Sequence, residues 1–134
     1  MQNDLFNDAR DSKRTDVLLP DLINKLPTTP ASINHTLGHN LIVEYPQVFD
    51  PSVSLSVFDA IDKTTPWRQD QIRIAGRTIP VPRLQCWMGE QQCRYAYSNI
   101  SLDPVPWTQE MASIRDFVNK VAGAQFNCVL INKY

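Results

Sequence analysis

Glycine is scarce in this sequence, four in 134 residues, and the four are scattered. A phosphate-cradling G-x-x-x-x-G-K-[ST] loop needs clustered glycines whose backbone N–H groups converge on an anion, so nucleotide binding by that route is excluded. Cysteine is scarce as well. Cys86, Cys93 and Cys128 make an odd number with no C-x-x-C spacing, which argues for reduced thiols over a disulfide framework. The two histidines, His35 and His39 in "HTLGH", are separated by Gly38 and flanked by prolines, which keeps them off a helix that would aim both at one metal. No apolar run approaches the roughly 18 residues of a membrane span, and the polar opening "MQNDLFNDARDSKRTD" lacks the apolar core of a secretory signal. The expectation is a cytoplasmic protein without a membrane partner. Thirteen basic against fourteen acidic residues give a net charge of −1, so the chain is not basic as a whole.

What is present fits one modest domain: 43% hydrophobic and 20% charged residues over this length. The basic residues are unevenly placed. Between Arg68 and Arg94 stand Arg68, Arg73, Arg77, Arg83 and Arg94 against only Asp70 and Glu90, with no lysine. Guanidinium groups in such a stretch suit bidentate phosphate contacts and stacking on flat rings, or else form a solvated strand face.

Residues 1–38 are polar and broken by Pro20, Pro27 and Pro30, and read as a loosely docked arm. Residues 39–134 read as the folded part. "LIVEY" is its first strand. Asp50 before Pro51, with Val53, Val57 and Ile61 at four-residue intervals, predicts a short amphipathic helix. "QIRIAGRTIPV" predicts a hairpin turning at "AG", with its arginines on one side. "PRLQCWMGE" and "CRYAYS" predict two further strands. Thr108 as N-cap, Glu110 in the first turn and Gly123 as a stop bracket a second helix, and "FNCVLINKY" closes the chain as a strand. The residues by themselves supply polar and aromatic binding groups but no reaction centre.

"PRLQCWMGE", "YAYS", "PW" opening a helix and "FNCVLINKY", in this order and spacing, resemble the AlkB family of iron(II)- and 2-oxoglutarate-dependent dioxygenases that repair alkylated nucleic acids. The resemblance runs from about Leu41 to Tyr134. It implies an α+β fold, the N-terminal part of a double-stranded β-helix (jelly roll) with two helices and a nucleotide-recognition lid over residues 68–98. It also implies Fe(II) and 2-oxoglutarate as cofactors of the complete protein. The family's His-x-Asp and distant His ligands have no counterpart here, so the expectation is a truncated or split form, or an incomplete sequence, of an oxidative DNA demethylase, inactive alone.

On this resemblance Leu130, Asn132 and Tyr134 are the 2-oxoglutarate contacts, the last two alternating onto one strand face. Trp87, Met88 and Tyr95 fall at the family's base-contacting positions, with Tyr97 and Ser98 closing the motif. A base oxidised on its edge must leave the stack and needs an aromatic surface to lie on. The hairpin corresponds to the family's finger, with Arg73 and Arg77 as phosphate contacts. Its tip, Ala75, is a poor wedge compared with Phe, Leu, Ile or Met. The expected partner is therefore alkylated DNA, single-stranded by preference, with RNA as a further substrate and the protein a monomer. Two other readings stay open: a non-catalytic nucleic-acid-binding module using the same platform, and an inert fragment with unpaired strand edges.

Overall fold

A computed structural model of the protein describes residues 18–97 and 100–134. In chain order the elements are α1 (Leu19–Ile23), β1 (Ile33–Leu37), β2 (Asn40–Glu44), α2 (Pro51–Thr64), β3 (Gln71–Ile74), β4 (Arg77–Pro80), β5 (Leu84–Gly89), β6 (Tyr95–Tyr97), β7 (Ile100–Leu102), α3 (Gln109–Ala122) and β8 (Cys128–Lys133). The architecture is mixed α and β. The strands form four antiparallel pairs, β1–β2, β3–β4, β5–β8 and β6–β7.

The two long helices begin and end where their capping residues dictate. Asp50 is extended, and its carboxylate accepts the N–H groups of Ser52 at 2.9 Å and Val53 at 3.0 Å, while Pro51 occupies a first-turn position that needs no donor. Thr108 Oγ1 accepts the Met111 N–H at 3.2 Å, and Gly123 ends α3 in the left-handed conformation, φ 61°.

Among the described residues there are three helices, not two, and the additional one corrects the expectation of a loose arm over residues 18–38. α1 packs on α3 and α2, burying Leu19 and Ile23 with Val53, Val57 and Phe117 in one core cluster. Pro20 does not prevent this helix because it sits in the first turn, where the missing N–H has no intrahelical partner to lose. The boundary expected at residue 38 falls in the turn of the β1–β2 hairpin. The proline argument holds between the two elements, where 27–32 forms neither helix nor strand. Residues 1–17 of the expected arm lie outside the described residues.

A second core cluster lies between the helices and one face of the β5–β8 ladder: Cys86, Met88 and Met111 are buried, with Val129, Ile131, Trp67 and Trp107 packed around them. Ile61 of α2 and Ile114 of α3 border both clusters and join them. β5 is the hub. β8 pairs with one of its edges over Leu84–Gly89, while its other edge holds Arg68 through reciprocal bonds to Gln85 of 3.0 and 2.8 Å and receives Val105 beside Met88.

Candidate nucleic-acid interface

Strand alternation assigns every β5 and β8 side chain to one of two faces, since directly paired residues share a face. The register pairs Cys86 with Ile131 and Met88 with Val129, and these four face the helices. It pairs Gln85 with Asn132 and Trp87 with Leu130, which therefore share the opposite face. Arg68, bridged to Gln85, extends that row: Arg68, Gln85 and Asn132 lie side by side across three strands' width.

Trp87 stands next to this row. Its indole N–H donates to the Cys93 carbonyl at 2.6 Å, and its ring lies 5.0 Å, centroid to centroid, from that of Tyr95 at a 31° tilt. The hydrogen bond holds the ring orientation, and the contact makes one continuous aromatic surface, of which Tyr95 is 37% exposed. Met88 is different. Its side chain is fully buried against Met111 and Val105, so the expectation that it touches a base is corrected: alternation turns it away from Trp87 and into the core. The Tyr97 side chain and Ser98 lie outside the described residues.

Leu130 is half-buried beside Trp87, and Asn132 is exposed. Tyr134, one residue beyond β8, is 90% exposed. Asn132 and Tyr134 both line a cavity of about 300 Å³ whose walls are Phe58, Ile61, Trp67 and Ile131, and Leu130 is not among its walls. Lys133 ties this strand end to α2 by an ion pair with Asp62 and sits 5.9 Å over the Trp67 ring. A larger depression, about 740 Å³, lies along the C-terminal half of α3 and is lined by none of the residues singled out from the sequence.

The finger hairpin turns at Ala75 and Gly76, both with positive φ (48° and 79°), a two-residue turn whose twist matches the strands. Arg73 pairs with Thr78 and Arg77 with Ile74, so the two arginines project from opposite faces. This corrects the one-sided placement. The positions differ by four, but the two-residue turn between them changes which face each meets. Arg77 shares its face with Ile72, Ile74 and Ile79, of which Ile74 is 54% and Ile79 40% exposed.

Asp70 and Gln85 had not been singled out from the sequence, and they are the most heavily bonded groups at the site. Asp70 accepts from the Arg68 Nε at 2.9 Å and from its Nη2, and accepts the Gln85 side-chain amide on its other oxygen. Gln85 Oε1 in turn accepts from Arg83 Nε at 3.3 Å. The available signal was a glutamine inside an otherwise apolar strand, because a polar group there must find a partner. The Cys86 thiol is pushed up from its ordinary pKa by burial, against a smaller opposing pull from Arg68, and the Cys128 thiol is pushed up by burial and then by Cys93. Both therefore stay protonated at neutral pH.

No family model matches the chain. It is 30% identical over 106 residues to the DNA oxidative demethylase ALKBH2 of Homo sapiens, covering 77% of this chain and 41% of that protein. To the Arabidopsis thaliana protein of the same name it is 34% identical over 106 residues, 73% of this chain and 33% of the relative. To the alpha-ketoglutarate-dependent dioxygenase alkB homolog 3 of Bos taurus it is 29% identical over 116 residues, 86% of this chain and 40% of the relative. The chain is homologous to the AlkB-like DNA oxidative demethylases. It spans about two fifths or less of the length of these curated relatives.

Among the described residues no three His, Cys, Asp or Glu side chains converge as metal ligands, and no step below runs through iron. Asn132 and Tyr134 are exposed residues that line one cavity, and an amide and a hydroxyl carry the kind of donor a carboxylate accepts.

Proposed function

We propose that this chain is the base-recognition and cosubstrate-contacting part of an oxidative demethylase of alkylated nucleic acid, built on a jelly roll to which β5 and β8 contribute. One observation carries the reading. The β5–β8 register sets the Trp87–Tyr95 pair on the sheet face that also carries Leu130 and Asn132, so a base lying on the aromatic pair is adjacent to the cosubstrate contacts. A base alkylated at a ring nitrogen gains positive charge, which an aromatic face attracts, and base stacking contributes on the order of 1–3 kcal/mol toward the cost of extrusion.

Asn132 and Tyr134 would donate to the carboxylates of 2-oxoglutarate, and Leu130 would pack against it. When bound, 2-oxoglutarate supplies the reducing equivalents for oxygen-dependent oxidation of the alkyl group. The chain's own work is to orient the base, exclude water from its edge and fix the cosubstrate carboxylate. Arg73 and Arg77 serve phosphates on the two sides of the finger. Single-stranded or distorted DNA is the preferred substrate because the finger tip is a methyl group, and Ile74 lies on the flank of the hairpin rather than at its end. RNA is a further substrate of the same open face, and the protein acts as a monomer.

The test compares single-stranded oligonucleotides with and without one 1-methyladenine. The alkylated strand binds more tightly, and Trp87→Leu removes the difference. Equal affinities that Trp87→Leu leaves unchanged would reduce the chain to a general nucleic-acid-binding module. In a full-length relative carrying this segment, Asn132→Ala and Tyr134→Phe raise the 2-oxoglutarate concentration needed for half-maximal turnover. An unchanged requirement takes both residues out of the cosubstrate site.

A further inference from the structure

Two arginines, Arg68 and Arg83, stand at the root of the finger hairpin, joined through one nearly buried acid, Asp70, at 9% exposure, and the amide of Gln85. Asp70 belongs to the hairpin's closure, since its carbonyl accepts the Val81 N–H at 2.8 Å and Gln69 Nε2 donates to the Val81 carbonyl at 3.0 Å. Its side chain points the other way in function, toward the sheet. One carboxylate oxygen holds the Arg68 guanidinium, the other holds the Gln85 amide, and that hold leaves the Gln85 carbonyl oxygen turned to Arg83.

Gln85 is 0% exposed, so its amide has one stable orientation, the one Asp70 imposes. The consequence runs outward. Arg68, with a side chain 49% exposed, is held from beneath at Nε and Nη2, and Arg83, half-buried, is held at Nε. Arg68 belongs to the row that carries Asn132 and adjoins Trp87, and Arg83 reaches that row through its bond to Gln85.

We propose that Asp70 is a positioning residue for nucleic-acid binding: its carboxylate aims the Arg68 guanidinium and, through Gln85, the Arg83 guanidinium at a phosphate of a strand whose base lies on Trp87 and Tyr95. The proposal rests on the nucleic-acid reading above and adds to it the device that pre-orders two cationic forks. An acid that aims cations makes a prediction of unusual sign. Removing a negative charge from a phosphate-binding surface strengthens binding if charge alone matters. Removing this one weakens binding, because the forks lose their direction.

The experiment measures fluorescence anisotropy of a labelled single-stranded oligonucleotide with the full chain at several salt concentrations. Asp70→Asn is compared with Asp103→Asn, which adds the same charge at a site where the acid is 80% exposed and pairs only loosely, 3.3 Å, with Arg94. Expected is that Asp103→Asn leaves binding equal or slightly tighter, while Asp70→Asn weakens it about fivefold and lowers the salt slope by about one unit. Arg83→Lys keeps the charge but lacks the Nε–H that Gln85 accepts, and weakens binding about threefold. Asp70→Asn binding as tightly as the parent, or more tightly, overturns the proposal. If circular dichroism shows Asp70→Asn unfolded, Arg83→Lys decides alone, and parental affinity there overturns it. A parent chain that binds no oligonucleotide at any salt concentration removes instead the reading on which the proposal rests.

Discussion

The β3–β4 hairpin and the β5–β8 ladder are both antiparallel pairs rich in apolar residues, yet almost every hairpin residue is exposed while Cys86 and Met88 of β5 are sealed. Local strand character is the same in both. The difference is what covers them: α2 and α3 lie over one face of the ladder through Ile61, Met111 and Ile114, and the hairpin is held mainly at its root by Asp70, Gln69 and Val81. A strand pair becomes core only when another layer arrives, so a protruding pair is free to carry function on both faces.

Replacing an apolar side chain in each region breaks the comparison most directly. Met88→Ala should cost about 2–5 kcal/mol in urea unfolding through lost burial and a cavity, whereas Ile79→Ala stays within about 0.5 kcal/mol. Equal effects would mean that the hairpin is packed against something in solution. Gly89→Ala comes next. Its Cβ would lie 2.7 Å from Cys128 Cβ and 2.9 Å from the Asn127 carbonyl oxygen, so β5 and β8 must separate locally, at about 1–3 kcal/mol.

The hairpin has its own sensitive point in the opposite direction. Ala75→Gly removes the cost of a Cβ at φ 48° and should stabilise the chain by about 1 kcal/mol, read as a higher unfolding midpoint. Destabilisation would show that Ala75 makes a contact the turn geometry does not reveal. The smallest effect is a pH dependence at α2. Asp50 titrates below its ordinary 3.8, first because the Ser52 hydroxyl donates to it and then because the Val53 N–H does. A lowered folded-state pKa means that the cap's contribution is complete above 3.8 and fades as pH falls through the lowered value, so helix content should drop there. Asp50→Asn should abolish that acid-side dependence.

Much of the fold was legible because its signals are local. Asp50, Pro51, Thr108 and Gly123 mark helix ends through hydrogen bonds that span at most four residues, and "AG" marks a reversal through its own backbone angles. α1 escaped notice because three prolines in one segment outweighed Leu19 and Ile23, whose burial depends on Phe117, far away in the sequence. β7 escaped because three residues carry too little pattern to stand out.

The site divided in the same way. Trp87 and Tyr95 were legible as aromatic strand residues, but that they touch depends on how the segment of Cys93 folds back to meet the indole N–H. Met88 was misread because the motif names positions and not faces; β5 alternates, and the helices chose the face that Met88 occupies. The opposed directions of Arg73 and Arg77 follow from pairing register, a property of two strands together.

By itself the sequence determined where chain segments start, stop and reverse, and which family's motifs they carry, since each of these is written in neighbouring residues. The tertiary structure alone decided which face of β5 packs on the helices and which faces away from them. It alone brought Gln85 to the local Arg68–Asp70 pair, because a buried carboxylate and a buried amide are tolerable only where the matching donors and acceptors are supplied.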